Sequence, residues 1–280
     1  MLFLLCQQKK KMSISKIKSK LITIGSWNVN SIRIRLTLLD AWIKHTSPDI
    51  ILLQETKVTD ENFPQKFFDD HHYHVTFWGE KSYNGVAIAS KTPLKNIQRI
   101  GLNGAVQHTR YLQAETPYVR IASVYVPNGK SIDHPSYQDK LDFMAHLSEH
   151  VNPYVTKPFP TVLGGDWNIA PRKEDVPDPT RYCNQLLCSR PERQLWEKMI
   201  NNGWCDSVQT HNNQKNDPTW WDYRQQSWER NRGLRIDAFL VSPWAMDRIT
   251  HYQVLSEWRN KSSTSDHAPI QIKMWVEDPM

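Results

Sequence analysis

Six separate stretches of this sequence end in side chains that can hold a cation or move a proton. ITIGSWNVN leads to Asn28 and Asn30, DIILLQE to Gln54 and Glu55, and IASVYVPN to Tyr125 and Asn128. TVLGGDWN leads to Asp166 and Asn168, GLRIDAFLV encloses Asp237, and STSDHAPI sets Asp266 and His267 just before the last apolar run. Taken one at a time, each polar residue reads more simply as a strand cap or a turn residue. Asp237 is the exception, because a carboxylate between Ile236 and Ala238 in a buried strand needs a partner. His267 is the natural candidate, since a carboxylate on one imidazole nitrogen fixes the tautomer and supports a positive ring.

The donors are carboxylates and amides with one histidine and no cysteine. Hard oxygen donors suit Mg²⁺ or Mn²⁺ and not zinc. Glu55 and Asp266, with Asn28 nearby, are the right number for an ion that keeps several waters. Asp166 is then free to orient or deprotonate an attacking water, with Asn168 fixing it. Tyr125 and His267 can donate to phosphate oxygens as charge builds. Metal-assisted phosphodiester hydrolysis uses these parts. A serine hydrolase lacks support, because no G-x-S-x-G elbow is present, and no Walker-type phosphate loop is found.

Seven apolar runs of strand length must position these residues: 21–27, 49–55, 84–90, 118–126, 161–167, 235–242 and 269–276. Side chains two apart on a strand share a face, so Asp166 and Asn168 pair, as do Asn28 and Asn30. Helical spacing marks 35–45, 138–151 and 191–203, the last opening at Pro191 and stopping at Gly203. Alternating strands and helices imply an α/β layered fold. No linker, repeat or low-complexity segment follows residue 20, so 21–280 reads as one domain. The proline-bearing 171–190 reads as a long surface loop, and HHYH (71–74) as a solvated loop.

The formal net charge is +6, but residues 1–20 hold six lysines and no acid. Without them basic and acidic residues balance at 29 each, so affinity for a polyanion must rest on local clusters. Residues 1–20 read as a disordered basic tail, with Met12 as an alternative start, in preference to a targeting segment. No run approaches the ~18 apolar residues of a membrane span. Four irregularly spaced cysteines argue for reduced thiols in a cytoplasm; Cys183 and Cys188 are at best a weak ligand pair. Twelve tryptophans exceed what a core needs and point to a surface that binds something flat.

The blocks SWNVNSIRIR (26–35), LLQETKV (52–58), NGVAIAS (84–90), YVPNGKSIDHP (125–135), GGDWNIAP (164–171), TWWDYRQQSWERNRGLRID (219–237) and SDHAPI (265–270) resemble exonuclease III. This is the bacterial apurinic/apyrimidinic endonuclease family within the endonuclease/exonuclease/phosphatase group. The blocks keep the family's order and span nearly all of 21–276. The resemblance implies a four-layer α-β-β-α sandwich of two packed mixed sheets, as in deoxyribonuclease I, with the site at one edge of the sheets. It implies Glu55 as main metal ligand, with Asn28 and Asp266, and with Asp166 and Asn168 also reaching the ion. Asp166 resembles the water-activating residue and Asn168 the one that orients it. Tyr125 and the Asp237–His267 pair match phosphate-stabilising groups. Three positions depart from the pattern: Ser31 where glycine is usual, Trp167 for Phe or Met, and Asn30 where some relatives carry Asp.

The implied reactions on duplex DNA are cleavage 5′ to an abasic site leaving a 3′-hydroxyl, and removal of 3′ blocking groups and 3′ nucleotides, by a monomer using Mg²⁺ or Mn²⁺. Arg224, Arg232 and Arg235 alternate with Trp220 and Trp228, a pattern suited to gripping phosphates and wedging a distorted duplex. Trp220 and Leu234 are expected to line the pocket for the bare sugar, and Arg33, Arg35, Lys57 and Arg110 to add nonspecific grip. Two other readings stand beside this one: the same chemistry on RNA, a phospholipid or an inositol phosphate, and a catalytically silent DNA-binding protein.

Overall fold

The computed structural model describes residues 19–102, 108–210 and 217–277. In chain order the elements are β1 (Ser19–Asn28), α1 (Leu36–Thr46), β2 (Ile50–Gln54), α2 (Gln65–Asp70), β3 (His74–Trp78), β4 (Val86–Ser90), β5 (Lys95–Arg99) and β6 (Tyr111–Glu115). Next come β7 (Arg120–Tyr125), α3 (Pro135–Val151), β8 (Thr161–Asp166), α4 (Arg190–Asn201), β9 (Cys205–Asp206), β10 (Asp237–Val241), α5 (Pro243–Met246), β11 (Ile249–Val254) and β12 (Ile270–Glu277).

They form two mixed six-stranded sheets, ordered β11-β12-β1-β2-β4-β3 and β5-β6-β7-β8-β10-β9. The inner faces meet in one core that includes Ile24, Leu52 and Ile88 from the first sheet and Ile121, Val162 and Phe239 from the second. Outside the first sheet, α1 buries Leu39 and Trp42 against Trp27 and Leu53. Outside the second, α3 and α4 bury Phe143, Leu147 and Trp196 against Leu163 and Trp167. Helix, sheet, sheet, helix is the four-layer sandwich expected.

Strand alternation places the site. On β1 the residues Ile24, Ser26 and Asn28 face the other sheet; on β8 they are Val162, Gly164 and Asp166. On β7 the inward row is Ile121, Ser123 and Tyr125, and on β10 it is Asp237, Phe239 and Val241. Each row is apolar in the middle of the sandwich and polar at the same rim. Register makes the rim level: Asp166 pairs with Tyr125 on one side and with Asp237 on the other. One polar step lies below it, where Gln54 donates to Ser26 (3.2 Å) and to Ser123 (2.9 Å) across the two sheets.

All seven apolar runs became strands and all three helical patterns became helices. Strands β3, β5, β6, β9 and β11 were not foreseen. β5 is exposed along its whole length and β9 has two residues, so neither carries an apolar run. Three expectations change. Ser19 and Lys20 are the first residues of β1, not part of a tail; residues 1–18 lie outside the described residues. HHYH is not a solvated loop, since Tyr73 is buried, His71 bonds Asp40 at 2.8 Å and His74 opens β3. Segment 171–190 is not wholly superficial, because Asp175 and Cys188 are buried in it; Cys183 is exposed, and the one group of three or more metal-type ligands found among the described residues includes neither cysteine.

Gly164 answers to packing. A methyl there would sit 2.6 Å from Phe239 and 2.7 Å from Leu52, at the contact between the sheets. Gly164→Ala is expected to lose about 1–3 kcal/mol of stability in urea unfolding, the usual cost of overfilling a tight core; an unchanged midpoint would contradict the close sheet contact.

Candidate active site

Asn28 lies at the centre of the rim and is fully buried. Its side-chain N–H₂ donates to Glu55 Oε1 at 2.8 Å and to Asp166 Oδ2 at 2.9 Å, so one amide joins carboxylates from both sheets. Its oxygen accepts the Asn30 main-chain N–H at 3.0 Å, which fixes the amide's orientation. Glu55 also pairs with Lys57 at 2.7 Å. Asn30 takes up both neighbours, accepting from Lys57 at 2.6 Å and donating to Asp266 at 2.9 Å. Asp266 receives a second bond, from the Trp220 indole, at 2.9 Å.

Asp166 is held by Asn168, whose main-chain N–H donates at 2.9 Å and whose side-chain amide donates at 3.2 Å. That amide also donates to Val126 O at 2.9 Å, and its oxygen accepts from Asn128 at 3.0 Å. His267 contacts Asp237 through Nδ1 at 2.9 Å and turns Nε2 toward Asp166 at 3.7 Å. The loops leaving β1, β2 and β8 place Asn30, Ser31, Glu55, Lys57 and Asn168 at φ between 44° and 86°. Such left-handed backbone at non-glycine residues collects where surrounding contacts over-determine it, as at binding and catalytic sites. Ser31, at φ 86°, occupies a conformation that suits the glycine usual there.

Charge is unevenly supplied. Burial alone would raise Glu55, but the Lys57 ammonium and the bonds from Asn28 and Lys57 outweigh it and hold the carboxyl below its ordinary range. Burial raises Asp166 to about 7; His267 opposes the rise, while Asp237 and Glu55 reinforce it. Burial would discharge His267, yet Asp237 and then Asp166 keep the ring positive up to about 10. Tyr125 is raised well above its ordinary value by burial and by Glu55, so its hydroxyl keeps its proton.

The ligand atoms of Glu55, Asp166 and His267 all lie within 4.8 Å of one another. A positive His267 cannot ligate, so the donors open to a cation are the two carboxylates, with Asp266 beyond Trp220 and Asn30. Two close carboxylates, Glu55 held ionised and Asp166 raised by burial and by its acidic neighbours, fit a hard divalent ion. Asn28 presents its N–H₂ to these carboxylates, so it orients them. These groups open onto a cavity of about 230 Å³ that Tyr125, Asn128 and Asn168 also line, with an apolar wall of Leu187, Trp220 and Ile236.

The outlying positions divide. Lys57 and Arg110 line an adjoining cavity of about 240 Å³ with His108 and Lys130, and the Arg110 guanidinium lies 4.6 Å over the Tyr125 ring. Arg33 and Arg232 are exposed, and Arg224 is exposed but chelates Asp222 at 2.8 and 3.0 Å. Four expectations fail in part or whole. Arg235 is 1% exposed and locked between Asp175 (2.7 Å) and Asp206 (2.9 Å), so it reaches no external ligand. Arg35 is buried and donates to Tyr223 and to Thr264 O. Trp228 stands edge-on to Trp221 at 4.8 Å as a partly buried packing residue. Leu234 is buried behind the cavity wall, where it bridges Trp220. Asn30, singled out with Asn28 in the sequence but given no role there, links Lys57 to Asp266.

The site is an acid-rich pocket at the rim of a two-sheet sandwich, the arrangement of a metal-assisted phosphoesterase. Residues 25–267 match the model of the Endonuclease/Exonuclease/phosphatase family. The chain is 34% identical to exodeoxyribonuclease III of Haemophilus influenzae, over 90% of this chain and 98% of the relative. A solved 3′ phosphatase from Neisseria bound to a product DNA hairpin superposes with a TM-score of 0.87 at 34% identity, covering 90% of this chain and 99% of that one. An AP endonuclease from Archaeoglobus fulgidus gives 0.85 at 33%, covering 90% and 98%. The chain therefore belongs to the endonuclease/exonuclease/phosphatase family and, within it, to the exonuclease III group, and that family is divalent-metal dependent.

Two outcomes follow. The raised affinity of His267 means that its pairing with Asp237 stabilises the fold fully below about pH 6.5 and ceases to do so as pH rises through about 10. By NMR the metal-free ring should remain charged at pH 8, and Asp237→Asn should lower its titration by about 1–3 pH units; a ring neutral at pH 8 would refute the charge assignment. Arg235→Gln should cost about 3–5 kcal/mol, as expected for breaking a buried ion pair, and leave the salt slope of DNA binding unchanged. A slope reduced by about one would return Arg235 to the DNA surface.

Proposed function

We propose that this chain is a divalent-metal-dependent DNA-repair phosphodiesterase that cuts duplex DNA 5′ to an abasic site, leaves a 3′-hydroxyl, and also removes 3′ blocking groups and 3′ nucleotides. The observation that carries the reading is the joining of Glu55 and Asp166 through Asn28, opposite a charged His267, in one cavity. Homology to exodeoxyribonuclease III supports the substrate class.

Glu55, with Asp266 and Asp166 near it, would hold Mg²⁺ or Mn²⁺; the hard oxygen donors favour these over zinc. A bound ion supplies Lewis-acid polarisation of the phosphate and neutralises the carboxylates. Asp166, raised toward neutrality, is suited to take a proton from an attacking water near pH 7. Asn168 fixes the Asp166 carboxylate and aims a shared amide at the same place. His267, held positive by Asp237, and the protonated Tyr125 hydroxyl donate to phosphate oxygens as negative charge develops. Leu187, Trp220 and Ile236 offer an apolar wall to a sugar without its base, which leaves the stack more easily than an intact nucleotide. Lys57, Arg110 and Arg33 supply phosphate contacts. The protein acts as a monomer in the cytoplasm; no helix among the described residues is long and apolar enough to cross a membrane.

The test is a duplex with one tetrahydrofuran abasic analogue. Cleavage should need Mg²⁺ or Mn²⁺, stop with chelator, and yield a 3′ end that a polymerase extends. Asp166→Asn should slow cleavage by about 10²–10⁴-fold, the range for loss of a general base, while DNA affinity measured in chelator stays within about 3-fold. A product with a blocked 3′ end, or equal cleavage by Asp166→Asn, would sink the assignment.

A further inference from the structure

Lys140 is the one lysine of the described residues whose side chain is wholly excluded from water, and it belongs to no apparent catalytic set. It lies in α3 on the helix face that also buries Phe143, Met144 and Leu147. An ammonium has three protons to place. One goes to Glu192 of α4, another to Asn168 O at 2.6 Å, and the third to Asn128 O at 3.3 Å. Glu192 is otherwise satisfied, accepting from Leu187 N (3.1 Å), Ser189 N (2.9 Å) and Ser189 Oγ (2.7 Å).

A helix-to-helix ion pair would need only the contact with Glu192, and a buried pair of this kind is often no more stable than apolar side chains of equal size. The other two protons are spent on the main chain of the two asparagines whose side chains meet at the site, Asn128 Nδ2 donating to Asn168 Oδ1 at 3.0 Å. Asn168 is in left-handed backbone at φ 49°, a conformation that asparagine adopts more readily than most residues, and its carbonyl is held by Lys140 Nζ at 2.6 Å. Anchoring its carbonyl fixes the turn from which its amide reaches Asp166.

We propose that Lys140 is a positioning residue: through the carbonyls of Asn128 and Asn168 it sets the Asn168 amide and thereby the Asp166 carboxylate. The inference rests on the nuclease reading above. It places one determinant of rate in the outer helical layer, where no contact with substrate occurs.

The test removes both charges together, so that no lone ion is buried. Lys140→Met/Glu192→Gln should cleave the abasic duplex about 10- to 100-fold more slowly with KM within about 3-fold, since small misplacements of reacting groups cost about 10²-fold. Glu192→Gln alone, which leaves the Lys140 nitrogen able to donate to both carbonyls with or without its extra proton, should stay within about 3-fold of wild-type kcat although it melts lower. In an Asn168→Ala background, adding Lys140→Met/Glu192→Gln should cost under about 3-fold, because its effect passes through the missing amide. Equal costs of Lys140→Met/Glu192→Gln with and without the Asn168 side chain would overturn the proposal and leave a plain structural strut. Independently of any variant, NMR of the wild-type protein should show a coupling across the hydrogen bond from Lys140 Nζ to the Asn168 carbonyl carbon; its absence also overturns the proposal. Failure of the wild-type protein to cut DNA would defeat the nuclease reading, whereas these outcomes bear on Lys140 alone.

Discussion

The two N–H bonds of Asn28 are the constraint on which the site depends. One reaches a carboxylate of its own sheet and the other a carboxylate of the facing sheet. This is possible only if both sheets end level and lie close, and the layer beneath ensures that they do. Gln54 spans from Ser26 to Ser123, and Gly164 admits Leu52 and Phe239 to the contact. A one-residue slip of β8 would turn Asp166 outward toward the helices and bring a glycine to the rim. The core therefore does more than stabilise: its register decides whether two carboxylates meet.

What meets there is unevenly balanced charge: Glu55 and Asp266 are held below their ordinary range, whereas Asp166 is raised. Glu55, Asp166 and Asp266 line one cavity, with Asp237 buried behind His267, against Lys57 and a positive His267. Burial strengthens each repulsion, and several rim residues are also kept in left-handed backbone. A scaffold of two large sheets tolerates this concentration of strain and like charge because the apolar core it buries is extensive. The same surroundings raise Asp166 toward neutrality, as the proposed role of a base requires.

A second ring of buried charges lies behind the first and holds loops instead of substrate. Arg235 ties Asp175 of the 171–190 segment to Asp206 beside β10, while Lys140 and Glu192 tie that segment's far end to the Asn128 and Asn168 turns. The block TWWDYRQQSWERNRGLRID thus mixes roles within a few residues. Arg224 and Arg232 face solvent, Trp220 lines the cavity, and Leu234 and Arg235 hold the strand that carries Asp237.

Much of this was legible in the one-dimensional chain. Strand-length apolar runs with polar ends declared the strands and an α/β layering, because period-two alternation makes Asn28, Tyr125, Asp166 and Asp237 continuations of buried rows. Residue types named a metal-assisted phosphodiester chemistry, and the family motifs added the two-sheet sandwich, its edge site and the DNA substrate. Edge strands such as β5 were not legible, since an exposed strand has no apolar row to display. Nor was the division of the arginines. Arg235 and Arg232 look alike as letters, and only the folded chain brings Asp175 and Asp206 around one and leaves the other in water. Lys140 shows the same limit from the other side: a lysine on an apolar helix face signals a buried partner, but which carbonyls it holds is decided by contacts between elements far apart in sequence. Residue type and spacing determined what chemistry was available here; tertiary structure alone decided which charges share a cavity, because burial and distance are properties of the fold.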